Sequence, residues 1–339
     1  MGRITLADIA GDLGLSKFAV SRALAGKGGV SPATRKLVTD AAERLGYAKA
    51  APKAHGELLL IFHDHDPVNS ELAMQIQTGV QHEASAAGVP LRMGWTHDPE
   101  EVGNLARSSA GVMLFGSHSP EAMTAIRDAG KPLVRVGWLH PLEQIDQVMG
   151  ADHEAGAAVG NFLHQLGHRE IAYVHGTPGF RGRMERLYGL RETAEVEHGM
   201  IVHELKFAEN AHFSEAFRQL SEQTSGVTAF FCAHDGLALT VVSELLRLGH
   251  KVPEDVTVIG FGDFSAARQI TPQLTTVRLP GRDMGVAAIR LLLDRIRLGS
   301  RNVASAQRLY VVPQIVERQS SGPRRADGPM ARRTKSSII

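Results

Sequence analysis

The sequence predicts an α + α/β chain, a small three-helix unit followed by a two-lobed α/β body. Three observations carry this. Within the first fifty residues, apolar positions recur at helical spacing in three short runs. From Leu58 onward, short apolar strands alternate with amphipathic helices, and the alternation occurs twice. Charge is segregated: residues 1–53 carry a net +5, residues 54–317 a net −9 and residues 318–339 a net +5. The 339 residues suffice for two or three folded units. The expected division is a helix-turn-helix unit at 1–47, a short linker at 48–57, a two-lobed body at 58–318 and a disordered basic tail at 319–339. Basic ends on an acidic body point to a polyanion held at one end.

The first helix starts at "TLADIAGDLG", with Thr5 as N-cap and Asp8 at capping-box spacing. Leu6, Ile9, Ala10 and Leu13 share a face, and Gly14 breaks the helix. Ser16 caps a second helix, "KFAVSRALAG", expected to bury Ala19, Val20, Ala23 and Leu24. Ser31 caps a third, with Pro32 at its first position, where a missing N–H costs nothing. Its expected inner face is Leu37, Val38, Ala41 and Leu45. Two short helices joined by a tight glycine turn, with a third behind, form a helix-turn-helix. The second helix then presents Lys17, Phe18, Ser21 and Arg22 outward near its start, where a recognition helix meets base edges. The hydroxyls of Thr5, Ser16, Ser21, Ser31 and Thr34 lie at or beside helix starts, where phosphate is held.

In the body, "ELLLIF", "PLRMGW", "GVMLFG" and "PLVRVG" read as strands separated by helices, and a second set runs from "ADHEAGAAVG" to "VTVIGFGD". Two successive doubly wound sets predict two lobes, with ligand at the C-terminal ends of the strands in the cleft between them.

Several function classes are excluded. The one cysteine, Cys232, cannot form an intrachain disulfide, and the N-terminal residues lack the apolar core of a secretory leader, so a cytoplasmic setting is expected. No apolar run approaches the roughly 18 residues of a membrane span. The "HDHD" of His63–Asp66 places two imidazoles on one strand face, but no distant Cys/His pair completes a metal set. Neither metal nor cofactor is expected. Catalysis by His63–Asp64 or His234–Asp235 lacks a supporting G-x-S-x-G, phosphate loop or G-x-G-x-x-G.

The stretch from Ile4 to Tyr47 resembles the DNA-binding headpiece of the lactose/galactose repressor (LacI/GalR) family. Thr5, Asp8, Ile9, Ala10, Gly14, Ser16, Val20, Ser21, Arg22, Val30, Ser31, Thr34, Arg35 and Tyr47 match its pattern without a gap. The likeness continues through Asp152–Ile171, "RLYG" from Arg186, "FCAHDGLA" from Phe231, "VPEDVTVIGFGD" and "PQLTTV". It implies a periplasmic-binding-protein-like sensor, a homodimer on a pseudo-palindromic double-stranded operator, and repression relieved when a small molecule closes the cleft. It also implies that Lys17 and Phe18 choose the operator sequence and that Arg22 reads a base, with Thr5, Ser16, Ser21, Ser31, Thr34 and Tyr47 completing the DNA contacts. The implied effector site comprises Asp64, His65, Asn69 and Ser70 after the first strand, Arg135 and Trp138, Arg186, Phe213, and His234 with Asp235.

Two departures shape the pocket. His234 replaces the family's Asn, and Gly262 replaces an Asp that accepts hydrogen bonds from sugar hydroxyls. A less negative pocket points to an anionic effector, a sugar acid such as gluconate or a phosphorylated sugar. A purine co-repressor, or a small-molecule-binding protein or enzyme without a regulatory role, is the alternative. The linker departs too. "AKAAPKAHGELLL" lacks the family's Pro-Asn start and its wedging leucine, which predicts a tether with Lys49 and Lys53 on phosphate and little minor-groove kinking.

Overall fold

The computed structural model describes residues 5–24, 29–45, 56–63, 70–96, 98–138, 140–176, 180–206, 213–299 and 305–325. Residues 48–55 of the expected 48–57 linker, Tyr47 and most of the expected tail lie outside them. The chain divides into two compact units, 1–53 and 54–339.

The first unit is three helices: α1 (Leu6–Leu13), α2 (Lys17–Leu24) and α3 (Pro32–Arg44). Asp8 accepts hydrogen bonds from both the backbone N–H and the hydroxyl of Thr5, each at 2.7 Å, and Gly14 ends α1 at a left-handed φ of 63°. Ser16 and Ser31 accept from the N–H groups of Ala19 and Thr34, so each starts its helix as an N-cap. Ile9, Ala10, Val20, Ala23, Val38, Ala41 and Ala42 form the core. Leu37, expected inside, is exposed, because Val38, Ala41 and Ala42 already fill the face of α3 toward α1 and α2.

The second unit holds two six-stranded sheets. The strands and helices of the first lobe are β1 (Leu58–Phe62), α4 (Ser70–Ala87), β2 (Leu91–Trp95), α5 (Pro99–Ser108), β3 (Gly111–Phe115), α6 (Pro120–Asp128), β4 (Leu133–Val136) and β5 (Asp146–Gly150). The second lobe holds α7 (Asp152–Gln165), β6 (Glu170–Val174), α8 (Arg181–Arg191), a π-helical segment Glu192–Glu197, and β7 (Ile201–Leu205). It continues with α9 (Phe213–Gln223), β8 (Val227–Cys232), α10 (Asp235–Arg247), β9 (Thr257–Gly262), α11 (Ala266–Gln269) and β10 (Thr275–Arg278). Then come α12 (Gly281–Leu298), β11 (Arg308–Val311) and β12 (Gln314–Val316).

The sheet orders are β11-β5-β4-β3-β1-β2 and β12-β10-β9-β8-β6-β7. All pairs are parallel except β10 with β12. The lobes are therefore not two successive sets. After β10 the chain returns to the first lobe as α12 and β11, then crosses again as β12. α12 goes back because it packs on α4 at bare backbone: a Cβ on Gly79 would overlap the Arg282 carbonyl, and one on Gly285 the Ile76 carbonyl. β1 is buried on both faces, Leu58, Leu60 and Phe62 toward α4 and α12, and Leu59 and Ile61 toward the α5–α6 side.

Residues 319–325, assigned by sequence to the disordered tail, are docked on the second lobe. Ser320 is fully buried, donating to the Val258 carbonyl at 2.6 Å and accepting from the Thr275 N–H. Gly322 donates to Thr257, and its carbonyl meets the His168 ring. The segment's polar, basic, Gly/Pro-rich composition suggested disorder; buried hydrogen-bond partners on β9 and β10 hold residues 319–325 instead. Among the described residues, no helix is long and apolar enough to cross a membrane.

Candidate functional site

On α2, Lys17, Phe18 and Ser21 are exposed and Arg22 half-buried. Phe18 has 70% of its surface open, an unusual cost for a phenyl ring in a unit this small. The Arg22 guanidinium lies 5.4 Å from its ring centroid and close to Gly29, whose φ of 87° suits glycine. The hydroxyls of Thr5, Ser16 and Ser31 cap helices, and Thr34 is bonded to Ser31 at 2.8 Å. α2 thus presents a cation, an aromatic face and a guanidinium within two turns.

In the second unit, the strand ends meet in a network spanning both lobes. Trp138, just after β4, donates its Nε1–H to Asp152 Oδ2 at 3.1 Å. Its indole lies against Gly182, where a Cβ would be 2.7 Å from Nε1. Asp152 Oδ1 accepts from Arg186 Nε at 2.8 Å, and the other arm of Arg186 donates to the Ala233 carbonyl. The guanidinium of Arg186 rests 3.4 Å from the Phe261 ring centroid. Glycine contacts set this arrangement. Side chains on Gly156 or Gly189 would overlap the carbonyls of Arg186 and His153, so bare glycines let α7 and α8 close.

His234 is the N-cap of α10, its Nδ1 accepting from the Leu237 N–H at 3.1 Å. That fixes the proton of the neutral ring on Nε2. Burial, then Arg183 and Arg186, hold its pKa down at about 4, so the ring is a neutral donor at physiological pH. Gly262 has a φ of 134°, and Phe264 stands so near that a Cβ on 262 would be 2.6 Å from its ring. The space beside Gly262 is taken by the Phe264 ring.

Other expected site residues fall elsewhere. Asp64, His65 and Asn69 lie outside the described residues, and Ser70 is the exposed first residue of α4. Three positions are corrected. Phe213 is 1% exposed, stacked on Phe217 at 5.5 Å and edge-on to Phe230, because it supplies the apolar face of α9. Arg135 is buried within the first lobe, donating to Met123 Sδ on α6 and the Trp138 carbonyl rather than charging the cleft. Asp235 is 1% exposed, with both oxygens engaged by the Phe264 N–H and the Thr276 hydroxyl. Burial raises its pKa to about 6, and its part is to pin the Asp263–Ser265 segment.

Arg183 and Asp152, which the structure brings into the same cluster, were not among the expected residues. The signal for Arg183 was present: "RMER" sets two arginines three apart, on one helix face. Asp152 sat in a matched motif whose role only the fold reveals.

Residues 5–49 match the lacI family of bacterial regulatory proteins, and residues 161–321 match the periplasmic binding protein-like domain. HTH-type transcriptional repressors PurR of Erwinia tasmaniensis and of Escherichia coli are each 28% identical, covering 96% of this chain and 98% of theirs. A solved complex of the transcriptional regulator CelR with cellobiose is 29% identical, with a TM-score of 0.67 over 94% of this chain and all of that one. A lac repressor dimer bound to operator and the anti-inducer ONPF shares the fold, at 20% identity and a TM-score of 0.65 over 95% of this chain and all of that one. A DNA-binding helical unit and a two-lobed sensor body define a ligand-responsive transcriptional regulator. The chain carries a lacI-family DNA-binding domain followed by a periplasmic binding protein-like domain, and the relatives it resembles over nearly its whole length are transcriptional repressors and regulators.

Proposed function

We propose that this repressor binds a pseudo-palindromic operator as a homodimer in the cytoplasm and releases it when a small sugar acid enters the cleft between the lobes. The observation that carries the ligand reading is the Trp138–Asp152–Arg186 bridge, which joins the two lobes through one shared carboxylate. A polyhydroxylated ligand competing for these donors and acceptors would have different affinity for different lobe arrangements, which is what coupling to DNA requires. The replacement of Asp by Gly262 and the neutral donor at His234 favour a ligand that brings its own negative charge. On DNA, in this reading, Lys17 and Arg22 take guanine edges and Phe18 a thymine methyl, with Thr5, Ser16, Ser21, Ser31 and Thr34 on phosphates; their exposure or helix-start positions on the first unit support it.

The test is a gel shift on the DNA upstream of its own gene, with neutral sugars, aldonates and sugar phosphates added in turn. Aldonates are expected to release the DNA, and Arg186→Ala to abolish the response while leaving operator affinity nearly intact. Release by neutral sugars alone would reject the sugar-acid reading. That second reading, a neutral sugar effector, is favoured by the similarity to the CelR–cellobiose complex.

A further inference from the structure

Trp138 reaches from the first lobe to Asp152 and Gly182 of the second, yet it stands just past the end of β4, outside any strand or helix. Its main chain has to be fixed from behind. Gly137 has a φ of 118°, in the left-handed region that favours glycine, and it turns the chain out of the strand immediately before Trp138. The Gly137 N–H donates to the Val148 carbonyl at 3.0 Å, and the Gly137 carbonyl accepts from the Gln147 side chain, so β5 holds that peptide. The next carbonyl, that of Trp138, accepts from the guanidinium of Arg135 at 3.3 Å.

Arg135 is an unexpected side chain for its place. β4 reads Leu133-Val134-Arg135-Val136 and is largely buried, and Arg135 itself is 7% exposed. It lies on the side of the sheet covered by α5 and α6, and its other arm donates to Met123 Sδ on α6. An apolar side chain would fill this position without the cost of taking a guanidinium out of water. Burial is the main cause that lowers the Arg135 pKa from its ordinary value, which shows that cost. What the arginine adds is reach: from a strand position it ties the Trp138 carbonyl, three residues on, to α6. A charge-assisted bond in a low-dielectric setting is strong and directional. The contacts then run from Met123 through Arg135 to the Trp138 carbonyl, and from the Trp138 indole through Asp152 to Arg186 on α8.

We propose that Arg135 is a positioning residue for the effector response: it holds the Trp138 main chain so that the indole is delivered to Asp152 and the second lobe, and it touches no ligand itself. This rests on the ligand-binding reading of the cleft and specifies what sets the tryptophan in it.

The chain has two tryptophans, so Trp95→Phe leaves Trp138 as the fluorescent indole. In that background, acrylamide quenching is compared between Arg135→Met, which fills similar space without the donors, and Arg135→Lys, which keeps a cationic donor. Quenching is expected to rise in Arg135→Met toward that of an exposed indole, with Arg135→Lys between it and the parent. Calorimetry on the full-length proteins uses gluconate, glucose 6-phosphate and glucose. The compound that binds should lose roughly tenfold in affinity in Arg135→Met, the weight of one charge-assisted hydrogen bond, and Arg135→Lys should recover part of it. Operator binding without added compound is kept in a gel shift. Unchanged quenching in Arg135→Met overturns the proposal, because a merely structural arginine would lower Tm and leave the indole where it is. Raised quenching with full affinity overturns it too. If Arg135→Met fails to fold, Met123→Leu, which removes the anchor on α6, is read by the same two criteria. If none of the three compounds binds the parent protein, the ligand reading is at fault, while the quenching comparison still decides the role of Arg135.

Discussion

Phe18 and Arg22 form a pair before any DNA is present. The exposed ring gives the guanidinium a flat partner 5.4 Å away, which limits the rotamers Arg22 must give up on binding. Arg22→Ala is therefore expected to cost about 1–3 kcal/mol at the operator, the value of one bidentate base contact, with little change on non-specific DNA. Fluorescence anisotropy on specific and scrambled duplexes measures the difference; equal losses on both would reduce Arg22 to a phosphate contact. A different residue sets the acid sensitivity of the body. His168 is buried, its ring between the Thr228 hydroxyl at 2.8 Å and the Gly322 carbonyl at 3.2 Å, and burial holds its pKa at about 4. An unfolded histidine takes its proton near pH 6.5, so between about 6.5 and 4 the unfolded chain binds more protons and stability falls as pH drops. The loss from His168 is on the order of 3 kcal/mol across that window. His234 acts in the same direction. Asp235, raised to about 6, acts oppositely between about 4 and 6, because there the folded state holds the extra proton. Two histidines outweigh one carboxyl, so denaturant unfolding at pH 7 and pH 5 should show a net loss, reduced in His168→Gln. An unchanged loss in that variant would place the titration elsewhere.

The helix pairs hold the site by close approach rather than by side-chain bulk. Gly156 on α7 lies against the Arg186 carbonyl, so Gly156→Ala must push α8 outward and carry Arg183 and Arg186 with it. Overpacking of this kind costs about 1–3 kcal/mol. Effector binding should suffer more than stability suggests, while operator binding by the separate first unit is retained. Calorimetry beside a melting curve checks this, and parallel losses would mean that only the fold is affected. Such contacts mark the limit of what a sequence exhibits. α1, α2 and α3, their caps and the strand–helix alternation were legible, because each is written in local periodicity and turn residues. The places of Arg186 on α8 and of His234 just after β8 follow from motif spacing and the strand–helix alternation. Phe213 was misread because an aromatic at a helix start looks the same whether it faces ligand or core. The return of α12 to the first lobe was hidden, since Gly79 and Gly285 gain meaning only when two distant helices cross. The docked 319–325 segment looks like a polar tail until Thr257, Thr275 and His168 are seen to receive it.

At the scale of the whole sensor body, a second contact crosses between the lobes. Glu71, in the first turn of α4, accepts from the Ser265 N–H at 2.8 Å and from the Ser265 hydroxyl at 2.7 Å. Ser265 belongs to the segment after β9 that Asp235 pins through Phe264 and that Arg278 and Arg318 hold through Asp263. The second lobe thus offers a loop held by several hydrogen bonds to a carboxylate of the first, beside Gly262 and Phe264. A solvent-exposed pair of this kind contributes about 1 kcal/mol, enough to shift a two-state equilibrium roughly fivefold. Glu71→Gln keeps the shape and weakens acceptance from both Ser265 donors. If effector and operator prefer different lobe arrangements, a contact that favours one arrangement must favour one ligand at the expense of the other. Effector affinity and operator affinity should then move in opposite directions in Glu71→Gln, by roughly fivefold at most, and Ser265→Ala should reproduce the same signs. Calorimetry with the effector and anisotropy with the operator, on the same preparations, give both numbers. If both affinities fall together, or neither moves, Glu71 serves the stability of the body and takes no part in the switch.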